Sequence, residues 1–489
     1  MAKILIRNEW QESLSRRSRP VTNPSTLEKI DEVPEGNAED VDHAVRAARE
    51  AQINWKMVTG LEKADLLHHV ARKIREDRRE IAKLLTLEAG KPLIESLDCV
   101  EWVAACFDYY AEIGRHERGS SLPPVGRHQV NFTIKEPYGV VACIVPFNFP
   151  LLLMSWKVAP AIAAGNCVVI KPPEVAPLST LRLAKSFEKL PPGVINIVTG
   201  SGEEAGEALV RHPNVNMIAF TGSNNIGKRI MRLAADHIKK INLELGGIDP
   251  LIVFEDADLD VAVPGTAWAR FLNAGQVCTS SKRIYVVEKV ADEFIRRLVE
   301  HTKTLRVGNP IDPETDIGPM ISEEQLKRVE RQVAEGIKQG GKLLYGGKRV
   351  PGQNGWFYLP TVITDVRPDN LLFTEEVFGP VAAIARVKDA EEAIRLANDS
   401  PYGLGASIYT KSLETAMKAM EEIKAGSFWI NDPLSDNDAG PFGGMRQSGL
   451  GRELGTEGLD AFRETKHVHL DYMMEKKDYW FPYKDRPIH

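Results

Sequence analysis

Cys278 lies in a small, polar segment between a predicted helix and a predicted strand. A thiol acts as a nucleophile only if it is accessible and has a base and an oxyanion donor nearby. The other four cysteines lie in apolar strands or on one helix face, where a packing role is typical: Cys99, Cys106, Cys143 and Cys167. Cys278 is therefore the candidate nucleophile, and its partners must come from other segments.

Two polar side chains at the ends of predicted strands supply the groups that such a thiol needs. Asn148 lies in a Pro-Phe-Asn-Phe-Pro segment, and Glu244 is flanked by two leucines. Taken singly, Asn148 is typical of a turn and Glu244 of a salt bridge. Together with Cys278, an amide that stabilises an oxyanion and a carboxylate that acts as a base favour nucleophilic catalysis.

The segments that must position these residues alternate between strand and helix. Residues 39–120 are rich in Ala, Glu, Lys, Arg and Leu, which predicts several amphipathic helices. From Val140 onward, short β-branched runs alternate with helical segments, and Gly165 marks the end of the first of these helices. The strands predicted in this series are Val140–Val145, Cys167–Ile170, Val194–Val198, Met217–Phe220 and Ile241–Leu243.

A second α/β series begins near Pro250 and predicts a second domain. Its predicted strands are Leu251–Phe254, Arg283–Val287, Val381–Val387 and Ser407–Tyr409. Series of this kind build parallel sheets covered by helices, with ligands bound at the carboxyl ends of the strands. A last predicted strand, Lys466–Leu470, precedes an aromatic, charged tail, and it either pairs with another subunit or stays on its own chain.

Composition excludes several classes of function. The chain has 489 residues, more than one hydrophobic core usually supports, and its formal net charge of -6 gives no reason to expect a nucleic-acid partner. Five cysteines without close pairing fit a reducing compartment and predict a cytoplasmic protein. The sequence has no HExxH or CxxC motif, so no metal site is predicted.

Two apolar stretches bear on export and on membranes. The N-terminal run over residues 1–10 is too short for a signal sequence. The stretch from Tyr138 to Trp156 has no charged side chain, but Pro146 and Pro150 interrupt it. A buried strand followed by a buried helix explains this stretch, so no membrane partner is predicted.

Seven motifs, in order along the chain, resemble those of the aldehyde dehydrogenase superfamily. They are Phe147-Asn148-Phe149-Pro150, Lys171-Pro172-Pro173-Glu174, Phe220-Thr221-Gly222-Ser223, Glu244-Leu245-Gly246-Gly247, Gly275-Gln276-Val277-Cys278, Glu375-Glu376-Val377-Phe378-Gly379-Pro380 and Pro441-Phe442-Gly443-Gly444. The likeness runs from about Arg7 to His469. It implies an α/β fold with a Rossmann-type cofactor domain, a second α/β catalytic domain and a small oligomerisation arm.

The resemblance also implies how the chain is divided. The NAD-binding domain would comprise residues 1–120 and 138–246, and the catalytic domain residues 247–446. The oligomerisation arm would comprise residues 121–137 and 463–489, and it would form a homodimer or a homotetramer.

The mechanism that the resemblance implies oxidises an aldehyde to a carboxylic acid. Cys278 would attack the carbonyl carbon, and the Asn148 amide and the Cys278 backbone N–H would hold the alkoxide. After hydride transfer leaves a thioester, Glu244 would activate the water that releases the acid. Because Glu244 is present, hydrolysis is expected rather than transfer to coenzyme A. Lys157 matches a family lysine that would relay the proton, the alternative being a solvated lysine on a helix.

NAD is the expected cofactor, with NADP as the alternative. The fingerprint GxGxxG is not met, because Gly206 follows Gly200-Ser201-Gly202 one residue late. The resemblance instead assigns the pyrophosphate to a helix N-terminus and one turn that contains Gly222, Ser223 and Gly227.

Four more residues would contact the cofactor. Lys171 and Glu174 would meet the adenosine ribose, Glu376 would hold the nicotinamide ribose, and Phe378 would pack beside the nicotinamide ring. Glu174 favours NAD, because its carboxylate repels a 2'-phosphate, whereas Lys171 weakens that preference. Without the motifs, Lys171 and Glu376 would be ordinary surface charges.

The residues expected to line the substrate tunnel are Phe149, Trp156, Asp436 and Phe442. Relatives that take succinic semialdehyde carry an arginine at the position of Trp156, whereas an indole offers stacking or a cation–π face. Asp432, Asp436 and Asp438 would attract a cation, unless they form a solvated loop. A neutral or cationic aldehyde, of the amino or betaine type, is therefore expected.

Three other functions stay open at this point. A semialdehyde dehydrogenase of the same family would differ only in its substrate. A non-redox cysteine esterase or acyltransferase would use Cys278 without a nicotinamide cofactor. A non-catalytic protein that keeps the fold is disfavoured by the intact set of Cys278, Glu244 and Asn148.

Overall fold

The computed structural model describes residues 2–116 and 119–485. The predicted NAD-binding domain also includes residues 1, 117 and 118, and the predicted arm includes residues 486–489. These seven residues lie outside the described part of the chain.

Strands and helices alternate along most of the chain. The strands are β1 (Ile4–Ile6), β2 (Glu9–Gln11), β3 (Ser18–Thr22), β4 (Lys29–Pro34), β5 (Ser121–Leu122), β6 (Gln129–Pro137), β7 (Val140–Ile144), β8 (Cys167–Lys171), β9 (Ile195–Ile197), β10 (Met217–Thr221), β11 (Lys240–Glu244), β12 (Pro250–Val253), β13 (Arg283–Val287), β14 (Lys342–Tyr345), β15 (Thr361–Thr364), β16 (Val381–Val387), β17 (Gly405–Tyr409), β18 (Ser427–Ile430), β19 (Gly449–Leu450) and β20 (Arg463–Asp471). The α-helices are α1 (Ala38–Trp55), α2 (Gly60–Glu76), α3 (Arg78–Ala89), α4 (Leu93–Ile113), α5 (Pro150–Ala163), α6 (Leu178–Leu183), α7 (Glu207–Arg211), α8 (Asn224–Ala235), α9 (Leu259–Phe271), α10 (Glu288–Thr304), α11 (Glu323–Lys338), α12 (Leu371–Thr374), α13 (Ala390–Asn398), α14 (Leu413–Glu422) and α15 (Gly455–Asp460).

The first sheet has eight strands in the order β19-β11-β10-β7-β8-β9-β1-β2. Its five central strands are parallel and include all five strands predicted in the first series. The three central strands β7, β8 and β10 are buried throughout, as expected of a parallel sheet covered on both faces. The short strands β1, β2 and β19, at the two ends of this sheet, were not predicted, because runs of two or three residues carry too little periodicity.

The second sheet has seven strands in the order β14-β15-β16-β13-β12-β17-β18. All pairs are parallel except that of the edge strand β14 with β15. The four strands predicted in the second series are confirmed, whereas β14, β15 and β18 were missed. A separate core of buried side chains, drawn from residues 251–423, fills this part of the molecule.

Two smaller sheets complete the fold. The predicted terminal strand is confirmed as β20, which pairs antiparallel with β6 over nine residues, and β5 adds a third strand. The two strands β3 and β4 form a hairpin. Most side chains of β20 are exposed, including His467 and His469.

The predicted helices over residues 39–120 are confirmed as α1 to α4. Their starts have local causes, because Asn37 caps α1 and Thr59 caps α2, each in a capping box. The uncharged stretch from Tyr138 to Trp156 forms the buried strand β7 and the start of the buried helix α5. Within the described ranges, no helix is long and apolar enough to span a membrane.

The parallel strands bring several candidate site residues to one edge of the first sheet. Asn148 follows β7, Ser223 follows β10, and Glu244 is the last residue of β11. Because β7, β10 and β11 run in the same direction, these positions share the carboxyl edge of the sheet.

Candidate active site

A strained turn carries the candidate nucleophile. After α9 the chain forms a turn in which Asn273 and Ala274 have φ angles of 50° and 55°, a left-handed conformation that side chains rarely adopt. The side chain of Asn273 donates to the carbonyl of Asn148 (3.0 Å) and to that of Gln276 (3.3 Å). This turn therefore ties the segment of Cys278 to the segment of Asn148.

Arg270, at the end of α9, is fully buried and also fixes the loop that carries Cys278. Its guanidinium donates to the carbonyl of Val381 (2.6 Å), to the carbonyl of Val377 (2.9 Å) and to the hydroxyl of Ser280 (2.6 Å). These bonds fix the loop two residues after Cys278 to the second sheet.

The thiol of Cys278 is desolvated although part of its residue surface is exposed. Burial raises the pKa of Cys278 to about 12, and Lys282 opposes this shift. The other four cysteines are buried and free, in agreement with their predicted packing role.

Glu244 is buried among charges. Burial and the neighbouring Glu453 raise the pKa of Glu244 well above its ordinary value, whereas Lys157 lowers it. Within the described residues, neither carboxylate oxygen of Glu244 has a well-formed hydrogen bond, although the backbone N–H of Gly444 lies close to the carboxylate. The carboxylate therefore has free lone pairs that can accept a proton.

Lys157, on α5, is fully buried, so the alternative of a solvated helix lysine is wrong. Its Nζ donates to Glu453 Oε1 (2.6 Å), to Thr221 Oγ1 (2.6 Å) and to the carbonyl of Leu153 (3.3 Å). We call Glu244, Lys157 and Glu453 the inner charge cluster. Glu453 was missed, because it lies outside the motifs and its pairing with α5 depends on distant packing.

A cavity of about 480 Å³ opens next to Cys278, and we call it the outer cavity. Its wall contains all four residues expected to line the substrate tunnel: Phe149, Trp156, Asp436 and Phe442. The rings of Trp156 and Phe442 are in contact, with centres 4.9 Å apart. Trp102 and Trp268, each about half exposed, also line the cavity and were missed.

Carboxylates supply the charge of the outer cavity. They are Glu95, Asp98, Asp432, Asp436 and Asp438, and the described lining includes no lysine or arginine. Asp436 is half-buried as a residue, but its carboxyl is desolvated. This burial and the neighbouring Asp438 raise the pKa of Asp436 to about 7. Asp436 and Asp438 therefore do not form a solvated loop, whereas Asp432 is exposed.

Helix α4 contributes a face of this cavity that the sequence could have indicated. Glu95, Asp98 and Trp102 recur at helical spacing, so they lie on one side of the helix. Glu95 also accepts the backbone N–H of Asn273 (3.1 Å), and burial raises its pKa to about 7. Its neighbour Lys91 is fully buried, 3.6 Å from the centre of the Phe149 ring.

Lys171 and Glu174 follow β8, as predicted. Lys171 is buried and donates to the carbonyls of Pro172 and Gly200 (3.0 Å each), so it is not an ordinary surface charge. Burial lowers its pKa to about 8. Glu174 forms an ion pair with Arg19 (2.9 Å), a partner that the sequence did not indicate.

Helix α8 begins where it was expected, directly after Ser223, whose hydroxyl accepts the N–H of Ile226 at 3.5 Å. Gly222 lies in the turn before the helix, but Gly227 lies inside α8, which corrects its predicted place. A Cβ on Gly227 would come within 2.6 Å of Leu245, so this glycine allows close packing of the helix on the chain after β11.

Glu376 and Phe378 come from the segment that precedes β16. Glu376 is half-buried, accepts the N–H of Gly247 (3.4 Å) and lies 3.4 Å from Lys282, so it is not an isolated surface charge. Phe378 meets the ring of Phe147 edge-on at 5.8 Å. Across residues 2–116 and 119–485, no group of three or more His, Cys, Asp and Glu side chains is placed to hold a metal ion.

Comparison with known families decides the identity of the chain. Residues 10–468 match the aldehyde dehydrogenase family. The chain belongs to the aldehyde dehydrogenase family. The predicted family is thereby confirmed, and the non-redox esterase or acyltransferase is not supported.

Relatives of this aldehyde dehydrogenase cover nearly all of its length. The betaine aldehyde dehydrogenase of Bacillus subtilis is 41% identical over 95% of this chain and 96% of its own. The peroxisomal aminoaldehyde dehydrogenase 2 of Malus domestica is 40% identical over 98% and 97%. The structure of the betaine aldehyde dehydrogenase of Staphylococcus aureus, in complex with NAD⁺, has a TM-score of 0.96, 37% identity and coverage of 99% and 97%. The predicted fold class is confirmed by this likeness.

Proposed function

We propose that this aldehyde dehydrogenase oxidises an amino or betaine-type aldehyde, or a neutral aldehyde of similar length, to the carboxylic acid with NAD. The main support for this substrate class is the lining of the outer cavity. Cys278 lies there among tryptophans and carboxylates, and the described lining contains no lysine or arginine. The similar proteins named betaine and aminoaldehyde dehydrogenases support the same class.

Cys278 acts as the nucleophile and forms a hemithioacetal with the aldehyde carbon. The Asn148 amide and the Cys278 backbone N–H hold the oxyanion, and loss of one such donor typically costs about 3 kcal/mol. Asn273 supports this arrangement, because it bonds the Asn148 carbonyl and thereby fixes one donor relative to the other.

Glu244 acts as the general base for hydrolysis of the thioester. Its unbonded, buried carboxylate has a raised pKa, which makes it a stronger base than an exposed glutamate. Lys157 and Glu453 adjust this basicity in opposite directions, and their 2.6 Å contact keeps both charges in place. We assign to Lys157 the relay of the proton that Glu244 removes from water.

The residues at the carboxyl edge of the first sheet fit a dinucleotide. Ser223 caps α8, whose N-terminus suits a pyrophosphate, and Gly222 lies beside it. Glu174 and Glu376 offer carboxylates to ribose hydroxyls, Lys171 lies beside Glu174, and Phe378 offers an aromatic edge. A Cβ on Gly246 would come within 2.4 Å of Glu376, so this close approach needs a glycine. NAD, when bound, accepts the hydride from the substrate.

Charge in the outer cavity favours a cation at the far end of the substrate. Trp156 offers an aromatic face, and Asp436 and Asp438 are half-buried carboxylates in the same wall. A second carboxylate on the substrate, as in a semialdehyde, would be repelled there. The semialdehyde alternative is therefore the weaker one.

We also infer a cytoplasmic location and assembly as a homodimer or homotetramer. All five cysteines are free, which suits a reducing compartment. On the predicted arm, Leu122, Val130 and Leu470 are exposed apolar side chains on one small sheet, which suits contact with a second copy.

NADH absorbance tests the proposal directly. Purified enzyme with NAD and betaine aldehyde should produce NADH and one equivalent of acid, and Cys278→Ala should abolish this while NAD still binds. NADH formation by Cys278→Ala at an appreciable rate would overturn the role of the thiol. A matched control is Cys167→Ala, which alters a buried strand cysteine and should keep its activity.

A further inference from the structure

Lys282 joins the loop of the nucleophile to Glu376. It is the fourth residue after Cys278, and its side chain is buried. Its Nζ donates to the carbonyl of Val277 (3.0 Å) and to the carbonyl of Cys278 itself. The same Nζ lies 3.4 Å from Glu376 Oε1. One ammonium group is therefore shared between the backbone of the nucleophile and a carboxylate from another segment.

The position of Lys282 matters because several charged groups near the thiol act on the pKa of Cys278. Burial and three carboxylates, those of Asp249, Glu244 and Glu376, raise the pKa of Cys278, whereas Lys282 lowers it. Because a thiolate, and not a thiol, attacks a carbonyl, a cation beside Cys278 favours the reactive form. An anion that pairs with that cation weakens its effect.

We propose that Lys282 is a positioning residue that holds the backbone of Cys278 and favours its thiolate, and that Glu376 controls how strongly it does so. While Glu376 is paired with Lys282, part of the positive charge is compensated. When hydroxyl donors draw the Glu376 carboxylate away, the ammonium acts on the nucleophile loop alone. The proposal rests on the proposed roles of Cys278 and Glu376.

Alkylation of the cofactor-free enzyme by iodoacetamide measures the thiolate without aldehyde or NAD. Cys278 is the partly exposed cysteine, the other four are buried, and Cys278→Ala gives the background. Below the pKa of the thiol, the thiolate fraction changes about tenfold for each unit of pKa, and the rate changes less because a thiolate of higher pKa is a stronger nucleophile. Lys282→Met should therefore slow alkylation several-fold at fixed pH, and Lys282→Arg should restore most of the rate.

The opposite variant separates charge from packing. Glu376→Gln should raise the alkylation rate several-fold, and this gain should shrink in the double variant Lys282→Met/Glu376→Gln. Lys239→Met is the matched control, because Lys239 is a buried lysine that bonds the carbonyl of His212 away from the site. It should leave alkylation unchanged.

Equal rates for Lys282→Met and the unaltered enzyme would overturn the proposal. The proposal would also be overturned if Lys282→Arg were alkylated slowly and Glu376→Gln at the unaltered rate. Lys282 would then have only a packing role. If Lys282→Met does not fold, as judged by thermal unfolding, Lys282→Arg and Glu376→Gln still decide. Because the assay needs no turnover, failure of the proposed oxidation would not alter its outcome.

Discussion

The inner charge cluster and the outer cavity both adjoin Cys278, but they hold charge differently. In the inner charge cluster, Lys157 and Glu453 are fully buried and paired at 2.6 Å. In the outer cavity, Asp436 and Asp438 form no ion pair within the described residues, whereas Glu95 and Asp98 pair with Lys91 and Arg78 at 3.7 Å each. Paired charges hold a fixed geometry for a reaction step that does not depend on the aldehyde, whereas unpaired charges are available to select the substrate.

The largest effect should come from the base of the inner charge cluster. Glu244→Gln should give a burst of NADH near one equivalent and then turnover slowed about 10²- to 10⁴-fold, because hydride transfer precedes the step that needs the base. Stopped-flow absorbance measures both phases. Absence of a burst would show that Glu244 acts earlier, and Glu457→Gln, at an exposed position of α15, is the control.

A smaller effect should come from the pair that adjusts this base. Lys157 lowers the pKa of Glu244 and Glu453 raises it. Since Glu244 is active when ionised, Glu453→Gln should move the acid limb of the kcat profile to lower pH. Lys157→Met should move it to higher pH and should also destabilise the fold by about 3–5 kcal/mol, because Glu453 is left buried and unpaired. Shifts of both variants in the same direction would show that Lys157 and Glu453 do not act on Glu244 through their charges.

The outer cavity should show a pH dependence of its own. Because the pKa of Asp436 is raised to about 7, its carboxyl is neutral below that pH and ionised above it. The ratio of kcat/KM for a cationic aldehyde to that for a neutral one should rise a few-fold from pH 6 to pH 8, since a single ion pair of this kind is worth about 0.2–1 kcal/mol. Asp436→Asn should remove the rise, and Asp432→Asn, an exposed lining residue, should keep most of it. If the ratio still rises with pH in Asp436→Asn, the titrating group is not Asp436.

The smallest expected effect concerns the cofactor. Glu174 should favour NAD by repelling a 2'-phosphate, and Arg19, its ion-pair partner, should oppose that preference. Glu174→Gln should raise the ratio of kcat/KM with NADP to that with NAD, and Arg19→Met should lower it, each by roughly tenfold or less. A ratio above one in the unaltered enzyme would refute the assignment of NAD.

The same two regions differ in how far the sequence could predict them. Cys278, Asn148 and Glu244 lie in local motifs, so their types could be predicted. The sheet edge that Asn148 and Glu244 share could also be predicted, because both follow or end parallel strands of the first sheet. Glu453 could not, because its contact with Lys157 joins residues 296 positions apart. In the outer cavity, Trp102 and Trp268 depend on how α4 and α9 pack. The spacing of Glu95, Asp98 and Trp102 indicates one face of α4, but it does not indicate what that face contacts.

The fold follows the same division. The central parallel strands are long apolar runs and were predicted, with β13 and β16 placed at the bounds that the structure has. The short strands β1 and β19 are held by pairing with strands that are distant in sequence, as Leu5 pairs with Ile197 and Leu450 with Leu243. Local periodicity does not contain that information.

The charge of the preferred substrate distinguishes a cavity that selects cations from one that selects anions. The measurement is kcat/KM for betaine aldehyde, an uncharged aldehyde of similar length and succinic semialdehyde, repeated with Trp156→Arg. We expect succinic semialdehyde to be the poorest substrate of the unaltered enzyme and Trp156→Arg to improve it relative to betaine aldehyde. If succinic semialdehyde is instead the best substrate of the unaltered enzyme, the outer cavity does not select for a cation.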